Sequence, residues 1–392
     1  MASTPSPAED TRIRVRRQFE LLYARPPALL AIAPGRVNVI GEHVDYNGGW
    51  VLPAAIERCL VLAVAPRTDH RVRLASADFG GVIEFSGEDL APGSTRDWSR
   101  YVRGVLAGLA RAGHVVPGFD ACIASTIPVG GGLSSSAALE AATGLAGLAL
   151  GGAGMEPFAL AKLCQRAEHD YAGVPCGIMD QAAVLCCEPG HLLLLDCAAE
   201  TFVQTPLADD EWGLLIINSG VSHELASGEY AQRRAACEQA ARRLGVPSLR
   251  HVTPDSLGAA LGLPGMTDEM RRCVRHVVTE NDRTHQCVAA LKAGNFLTAG
   301  RHLNASHASL RDDYRVSCTE LDFIADTAQR NSAVAGCRMT GGGFGGSCVA
   351  LVRKDGAASL ERNIGDAFHA RFGRRPASFV TSAAPGARLI RL

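Results

Sequence analysis

Apolar and polar positions alternate along this chain with two periods, and the change of period marks the elements. Thr11 to Ala24 repeats its apolar residues at helical spacing, which predicts an amphipathic helix ended by Pro26-Pro27. The run ALLAIAPGRVNVIGEH that follows is strand-like, with a break expected at Pro34-Gly35. Residues 51–86 alternate through VLPAAIERCLVLAVAP, RVRLASA and GVIEFSG, predicting several strands. Trp98 to Ala112 predicts a helix and Phe119 to Ile127 a strand. Glycines 130–132 then open into a long small-residue helix, SSSAALEAATGLAGLAL. Pro157 starts a further helix that runs to Tyr171, with Gly173 at its C-cap position.

HLLLLDC (191–197) and WGLLIINSG (212–220) read as strands on either side of the polar segment TFVQTPLADDE, the candidate boundary between two halves, 1–205 and 206–392. The second half begins with a charged helix, Glu229 to Leu244, and a loop-rich stretch to about Thr267. Helical segments are expected near 268–293, 295–311 and Leu321 to Arg330. CRMTGGGFGGSCVALVR reads as strand, glycine loop, strand; a helix near 357–372 and two short strands finish the chain. Strands and helices mix without regular βαβ alternation, so the expected class is α+β and not a doubly wound sheet.

Composition narrows the function. The 39 Lys+Arg nearly balance 40 Asp+Glu, which argues against a uniformly basic nucleic-acid surface. A usual glycine share of ~7% gives about 27 residues; the chain has 42. Lysine is scarce, with only Lys162, Lys292 and Lys354. The thirteen cysteines form no CxxC pairs and several sit in apolar runs, so buried reduced thiols are expected. The start of the chain lacks the apolar stretch of a secretion signal, and Ala141–Met155, with five glycines, is too short to span a bilayer. A cytoplasmic protein without a membrane partner is the expectation.

Three segments concentrate the chemistry. In Pro128-Val-Gly-Gly-Gly-Leu-Ser-Ser-Ser-Ala-Ala-Leu-Glu140, three glycines allow backbone amides to converge at the start of a helix, and three serines add hydroxyls. That is either an anion nest for a phosphate chain or a glycine hinge with a serine cap. A lysine-dependent phosphate loop is excluded, because no lysine lies near a glycine run. Met339-Thr-Gly-Gly-Gly-Phe-Gly-Gly-Ser347 contains GxGxxG but leads into a strand, the wrong context for a dinucleotide fold. Five glycines among Gly341–Gly346 exceed what a hairpin needs, which favours a loop packed over a ligand or against the first glycine loop. The third segment, Gly35-Arg-Val-Asn-Val-Ile-Gly-Glu-His-Val-Asp-Tyr-Asn-Gly-Gly49, crowds Glu42, His43 and Asp45 after Arg36, as sugar-hydroxyl partners or as a polar loop turning at Asn47-Gly48. Zinc-protease spacings are absent. Two acids complete the set. Glu168 borders the apolar stripe of its helix, and Asp180 is the only charge between Val174 and Cys187, either a functional carboxylate or a helix N-cap.

Taken in order, GRVNVIGEHVDYNGG, PVGGGLSSSAALE and RMTGGGFGGS resemble the three motifs of the GHMP small-molecule kinases. The first is closest to the galactokinase signature, and GIMDQ and LASGEYAQRR also resemble galactokinase segments. The resemblance covers about Ala33 to the C-terminus. It implies a two-domain GHMP kinase fold: an N-terminal ribosomal-S5-domain-2-like mixed sheet with helices, a C-terminal α/β sandwich, and an active site in the cleft between them. It implies transfer of the γ-phosphoryl group of MgATP to the C1 hydroxyl of galactose, by a monomer. Glu42, His43, Val44, Asp45, Gly177, Asp180 and Tyr230 would form the sugar pocket. Asp180 and Arg36 would be catalytic, with Asp180 either a general base or an orienting charge. Gly130, Gly131, Gly132, Leu133, Ser134, Ser135 and Ser136 would cradle ATP, and Ser136 with Glu168 would hold Mg²⁺. Kinases of related sugars such as N-acetylgalactosamine share these motifs. Non-catalytic galactose sensors have a disrupted phosphate loop, whereas SSSAALE is intact here.

Overall fold

The computed structural model describes residues 7–93, 95–207, 211–221 and 226–392; part of the candidate boundary segment and Leu225 of LASGEYAQRR lie outside them. Thirteen strands are described. Those of the first half are β1 (Leu29–Asn38), β2 (Trp50–Val51), β3 (Pro53–Pro66), β4 (Arg71–Ser76), β5 (Val82–Ser86), β6 (Phe119–Ser125), β7 (His191–Asp196) and β8 (Thr201–Pro206). Those of the second are β9 (Trp212–Asn218), β10 (Val334–Thr340), β11 (Ser347–Arg353), β12 (Ala377–Thr381) and β13 (Arg388–Arg391).

A mixed sheet of six strands, ordered β13-β1-β3-β6-β4-β5, forms the first body; only the β4–β6 pairing is parallel. β1 is buried along its whole length because both faces are covered. Leu30 and Ile32 point to the helix Pro7–Tyr23, where Val15 and Phe19, one turn apart, complete a small second core. Leu29, Ala31 and Ala33 point the other way into the main core, against the helix Ser135–Leu150.

β1 does not break at Pro34-Gly35 as the sequence pattern suggested. It continues through a bulge, with its register against β3 shifting between Pro34 and Arg36. The bulge has a purpose in the packing. A Cβ on Gly35 would stand 2.9 Å from the Leu133 carbonyl oxygen, so the glycine lets the strand lie directly on the first glycine loop.

The polar segment after β7 is also more ordered than a linker. Its first part is strand β8, antiparallel to β7, and β2-β7-β8 make a three-stranded sheet. In the second half, β10-β11-β9-β12 form an antiparallel sheet packed by the helices Phe296–Ser309, Thr319–Gln329 and Lys354–Phe372. The last strand then crosses back, and β13 pairs with β1 of the first sheet. The two halves are therefore interleaved at the C-terminus, which no local pattern revealed.

Two predicted helices end in a single turn of π-helix, Glu168–Ala172 after Pro157–Ala167 and Leu310–Tyr314 after Phe296–Ser309. Such wide turns commonly sit at functional positions. Glu168 is the first residue of one and Tyr314 the last of the other.

The helix Phe296–Ser309 touches β10 backbone to backbone: a Cβ on Gly336 would lie 2.1 Å from the Gly300 carbonyl oxygen. Gly336→Ala is expected to cost about 1–3 kcal/mol through forced separation of helix and strand. Urea denaturation of the variant checks this, and an unchanged midpoint would contradict it.

Candidate active site

The segment Gly41–Gly48 leaves β1 as a tight turn held almost entirely by residues from the second half. Glu280 on the helix Asp268–Lys292 accepts the amides of Gly41 (3.1 Å) and Glu42 (3.3 Å), and also the Ser306 hydroxyl (2.6 Å). Its other oxygen takes Arg283 Nε at 2.8 Å. Burial alone would raise this carboxyl, but Arg283, His276 and Arg338 outweigh it and bring it down to about 2. His276, one turn earlier, lies 3.0 Å from the Glu42 carbonyl. The Glu42 side chain is itself spoken for: Oε2 accepts Arg338 Nη2 at 2.9 Å and the Gly341 amide at 3.1 Å. Arg338 is fully buried on β10 and also donates to the Asn38 carbonyl at 2.8 Å.

His43 follows in a left-handed conformation, φ 59°, a strained geometry for a residue with a side chain. Its Nδ1 lies 2.8 Å from Tyr46 Oη, which lies 2.8 Å from Tyr314 Oη. Burial, then the neighbouring His276, pushes the His43 imidazole down to about 3, so at neutral pH it is an uncharged hydrogen-bonding ring. Its ring packs against Tyr230 and Tyr314, with centroids 5.4 and 5.0 Å apart.

Asp180 stands in the first turn of the helix Met179–Cys186 but does not cap it. Both its oxygens are engaged by the guanidinium of Arg36, Nε to Oδ1 and Nη2 to Oδ2, each at 2.8 Å. Ser134 donates a further short bond to Oδ2. The third guanidinium nitrogen, Nη1, reaches the Gly132 carbonyl at 2.5 Å. A single buried cation thereby fixes the sugar-motif strand, the acidic helix and the first glycine loop to one point.

That loop has its carbonyls drawn inward. Gly131 O accepts the Ser347 hydroxyl at 2.7 Å, Gly132 O accepts Arg36, and Leu133 O accepts the Arg36 amide at 3.1 Å. A trans peptide points its N–H opposite its C=O, so the amides of Gly132, Leu133 and Ser134 turn outward at the start of the helix Ser135–Leu150. Ser134 makes no capping bond to that helix; its hydroxyl goes to Asp180 instead. The second glycine loop packs on the first, as expected: a Cβ on Gly341 would meet the Gly132 carbonyl at 2.9 Å.

Glu168 is buried beside this loop, where its Oε2 accepts Gln181 Nε2 at 2.6 Å and the Cys176 thiol at 3.6 Å, with the Ser136 hydroxyl among its polar neighbours. Burial and the Asp180 carboxylate both push Glu168 above the ordinary carboxylate range. One hydroxyl and one carboxylate in contact, in a site with surplus negative charge, suit a Mg²⁺ ion that keeps water and phosphate as its other ligands. No group of three or more His, Cys, Asp or Glu placed to hold a metal occurs among the described residues.

A cavity of about 150 Å³ opens where these parts meet. Arg36, Glu42, His43, Asp45, Glu168, Gly177, Asp180 and Tyr230 line it, with Gly341 and Gly342 of the second loop. Gly177 is required there, since a Cβ would sit 1.9 Å from Asp45 Oδ2. Val44 does not join them. Its side chain is fully buried in the core, and its carbonyl accepts the Asn47 and Gly49 amides, closing the turn that presents its neighbours. The residues that sequence reasoning missed are the anchors: Arg338, Glu280, His276, Tyr46 and Tyr314. A signal for three of them existed, because Arg338 is the only charge in β10, and His276 and Glu280 lie four apart among Cys273, Val277 and Thr284.

Comparison with known proteins agrees with this geometry. The GHMP kinases N terminal domain matches residues 100–188 and the GHMP kinases C terminal domain residues 287–370. The galactokinase galactose-binding signature matches residues 17–66, the stretch holding Arg36 and the Glu42–Asp45 turn. The chain is 47% identical to a galactokinase of Streptomyces coelicolor over 95% of its own length and 97% of that protein's. This chain belongs to the galactokinases, within the GHMP kinase family. It is 43% identical to human galactokinase over 96% of its length and 95% of that protein's. A crystal structure of Lactococcus lactis galactokinase complexed with galactose aligns with a TM-score of 0.93 at 34% identity, over 96% of this chain and 99% of that one. A mevalonate kinase at 18% identity and a TM-score of 0.62 shares the two-domain GHMP fold alone. The family match reaches upstream of Ala33, into the N-terminal helix.

Asp45 carries a pH signature. Burial, then the Asp180 carboxylate, raises its carboxyl to about 7 in the folded protein. The folded state therefore keeps a proton that the unfolded chain has already released between about pH 4 and pH 7. Stability from this residue is present below that window and lost as pH rises through it. Relative to the native protein, Asp45→Asn without sugar is expected to gain melting temperature at pH 8 over pH 5. Parallel shifts at both pH values would contradict this.

Proposed function

We propose that this protein is a galactokinase that transfers the γ-phosphoryl group of ATP to the C1 hydroxyl of D-galactose, giving galactose 1-phosphate and ADP. The observation that carries the reading is the junction at Arg36. It joins the turn covered by the galactose-binding signature, the Asp180 carboxylate and the outward-facing amides of the first glycine loop around one cavity.

In this assignment Glu42, His43, Asp45, the Gly177 backbone and Tyr230 bind the sugar hydroxyls. Arg338, Glu280 and His276, buried behind the turn and bonded to its backbone and to the Glu42 carboxylate, keep those groups from relaxing when the site is empty. The Gly130–Ser136 segment receives the phosphate chain on helix-terminal amides and hydroxyls, without a lysine. Ser136 and Glu168 would hold Mg²⁺, which would supply positive charge to offset that of the phosphate chain. Asp180 faces the C1 hydroxyl, orients its oxygen for in-line attack, and takes its proton as the O–P bond forms. Arg36 lies against the same centre and stabilises the negative charge that develops on the oxygen. Phosphoryl transfer requires mostly positioning and electrostatic stabilisation, which this set of residues can supply. The working unit is a cytoplasmic monomer without nucleic-acid or membrane partners, a reading supported by the balanced charge and thirteen unpaired thiols. The division between the halves falls at the end of β8, at about 205/206, with β13 returning to the first.

Galactose-dependent ADP release, measured against a panel that includes N-acetylgalactosamine and mevalonate, tests the substrate. Asp180→Asn is expected to lower kcat by about 10²–10⁴-fold while the galactose affinity changes only a few-fold. Equal loss of both would remove Asp180 from the chemical step.

A further inference from the structure

The motif around the first glycine loop ends in a residue that none of these roles uses. Glu140 lies one turn beyond Ser136 on the helix Ser135–Leu150 and is completely buried. Its Oε2 accepts Gln181 Nε2 at 3.1 Å, and that same nitrogen donates to Glu168 Oε2 at 2.6 Å. The Gln181 amide nitrogen thus stands between two carboxyl oxygens and donates to both. Glu140 Oε1 and Gln181 Oε1 are both buried without a hydrogen-bond partner.

No arginine or lysine contributes to the electrostatics of Glu140, whose charged neighbours are Glu168 and Asp180. As a purely structural element this is a poor arrangement, because a buried carboxyl facing two others costs more than an apolar side chain of the same size. Its geometric effect is specific. Glu140 holds the Gln181 amide so that its NH₂ group, not its carbonyl, faces Glu168. A flipped amide would place an oxygen against the Glu168 carboxylate and drive it away from Ser136.

We propose that Glu140 is a positioning residue for the metal of MgATP, acting through Gln181 to hold Glu168 beside Ser136. The proposal rests on the assignment of Ser136 and Glu168 as the metal ligands. Partners that orient a ligand in this way typically change metal affinity about 10–100-fold when removed.

The test is a calorimetric titration of the full chain with the non-hydrolysable analogue AMP-PNP, with and without Mg²⁺, alongside a galactose titration. The ratio of the two AMP-PNP affinities isolates the contribution of the metal. Glu140→Leu is expected to reduce that ratio at least about tenfold, with metal-free AMP-PNP and galactose affinities within twofold of the native protein. Glu140→Gln, whose amide can both accept from and donate to Gln181, is expected to keep the ratio. Should Glu140→Leu not fold, Gln181→Met carries the same expectation. An unchanged ratio in the leucine variant overturns the proposal, as does loss of galactose binding in step with metal binding. Glu168→Gln separates the two levels. If it leaves the ratio unchanged, the metal assignment itself fails; if it lowers the ratio while Glu140→Leu does not, only the positioning role fails.

Discussion

One guanidinium organises this molecule. Arg36 is 5% exposed, and its planar fork meets Asp180 in two parallel bonds while its remaining nitrogen takes a carbonyl of the glycine loop. Lysine offers a single point charge and cannot make three directed bonds in one plane. A cation this deeply buried is tolerable only with its carboxylate in place. The strand, the helix carrying Asp180 and the first glycine loop therefore have one joint arrangement around the cavity. Around that point the second half supplies rigidity. Glu280 and His276 grip the backbone at Gly41 and Glu42, and Arg338 holds the Asn38 carbonyl and the Glu42 carboxylate, next to a left-handed His43 that would relax if released.

Much of this was legible in the sequence because it is local. Helices and strands appeared at their periods, both glycine loops announced close backbone approach, and Asp180 stood out as a lone charge in an apolar stretch. The parts that were not legible are long-range. The crossing of β13 back to β1 pairs Leu29 with Arg391, residues about 360 positions apart. The bulge at Gly35 depends on the Leu133 carbonyl, nearly a hundred positions away. Val44 illustrates the converse. Its place within GEHVD made it a candidate for the pocket, but adjacency in sequence does not fix which way a side chain points in a turn, and it went to the core. The π-turn that begins at Glu168 likewise leaves no trace in a pattern with helical period.

The glycine excess has two origins. Part lies in the two loops, which pack on each other at backbone distance beside the cavity. Another part lies inside elements, where helix meets helix or strand at backbone distance. Gly300 and Gly336 approach each other directly, and Gly104, Gly108 and Gly144 each receive a tyrosine or leucine side chain. The composition thus reflects a small-residue core as well as a phosphate site. Lysine is scarce throughout the chain, and neither glycine loop contains one; the first loop offers helix-terminal amides and serine hydroxyls beside Arg36.

The position of the transferred phosphate gives the sharpest single check on this arrangement. In the assignment made here, Asp180 and Arg36 face the C1 hydroxyl, so phosphorus NMR of the product formed from galactose and ATP should show the phosphate coupled to the anomeric proton. A product coupled to the C6 protons, or ADP release that does not require galactose, would contradict it.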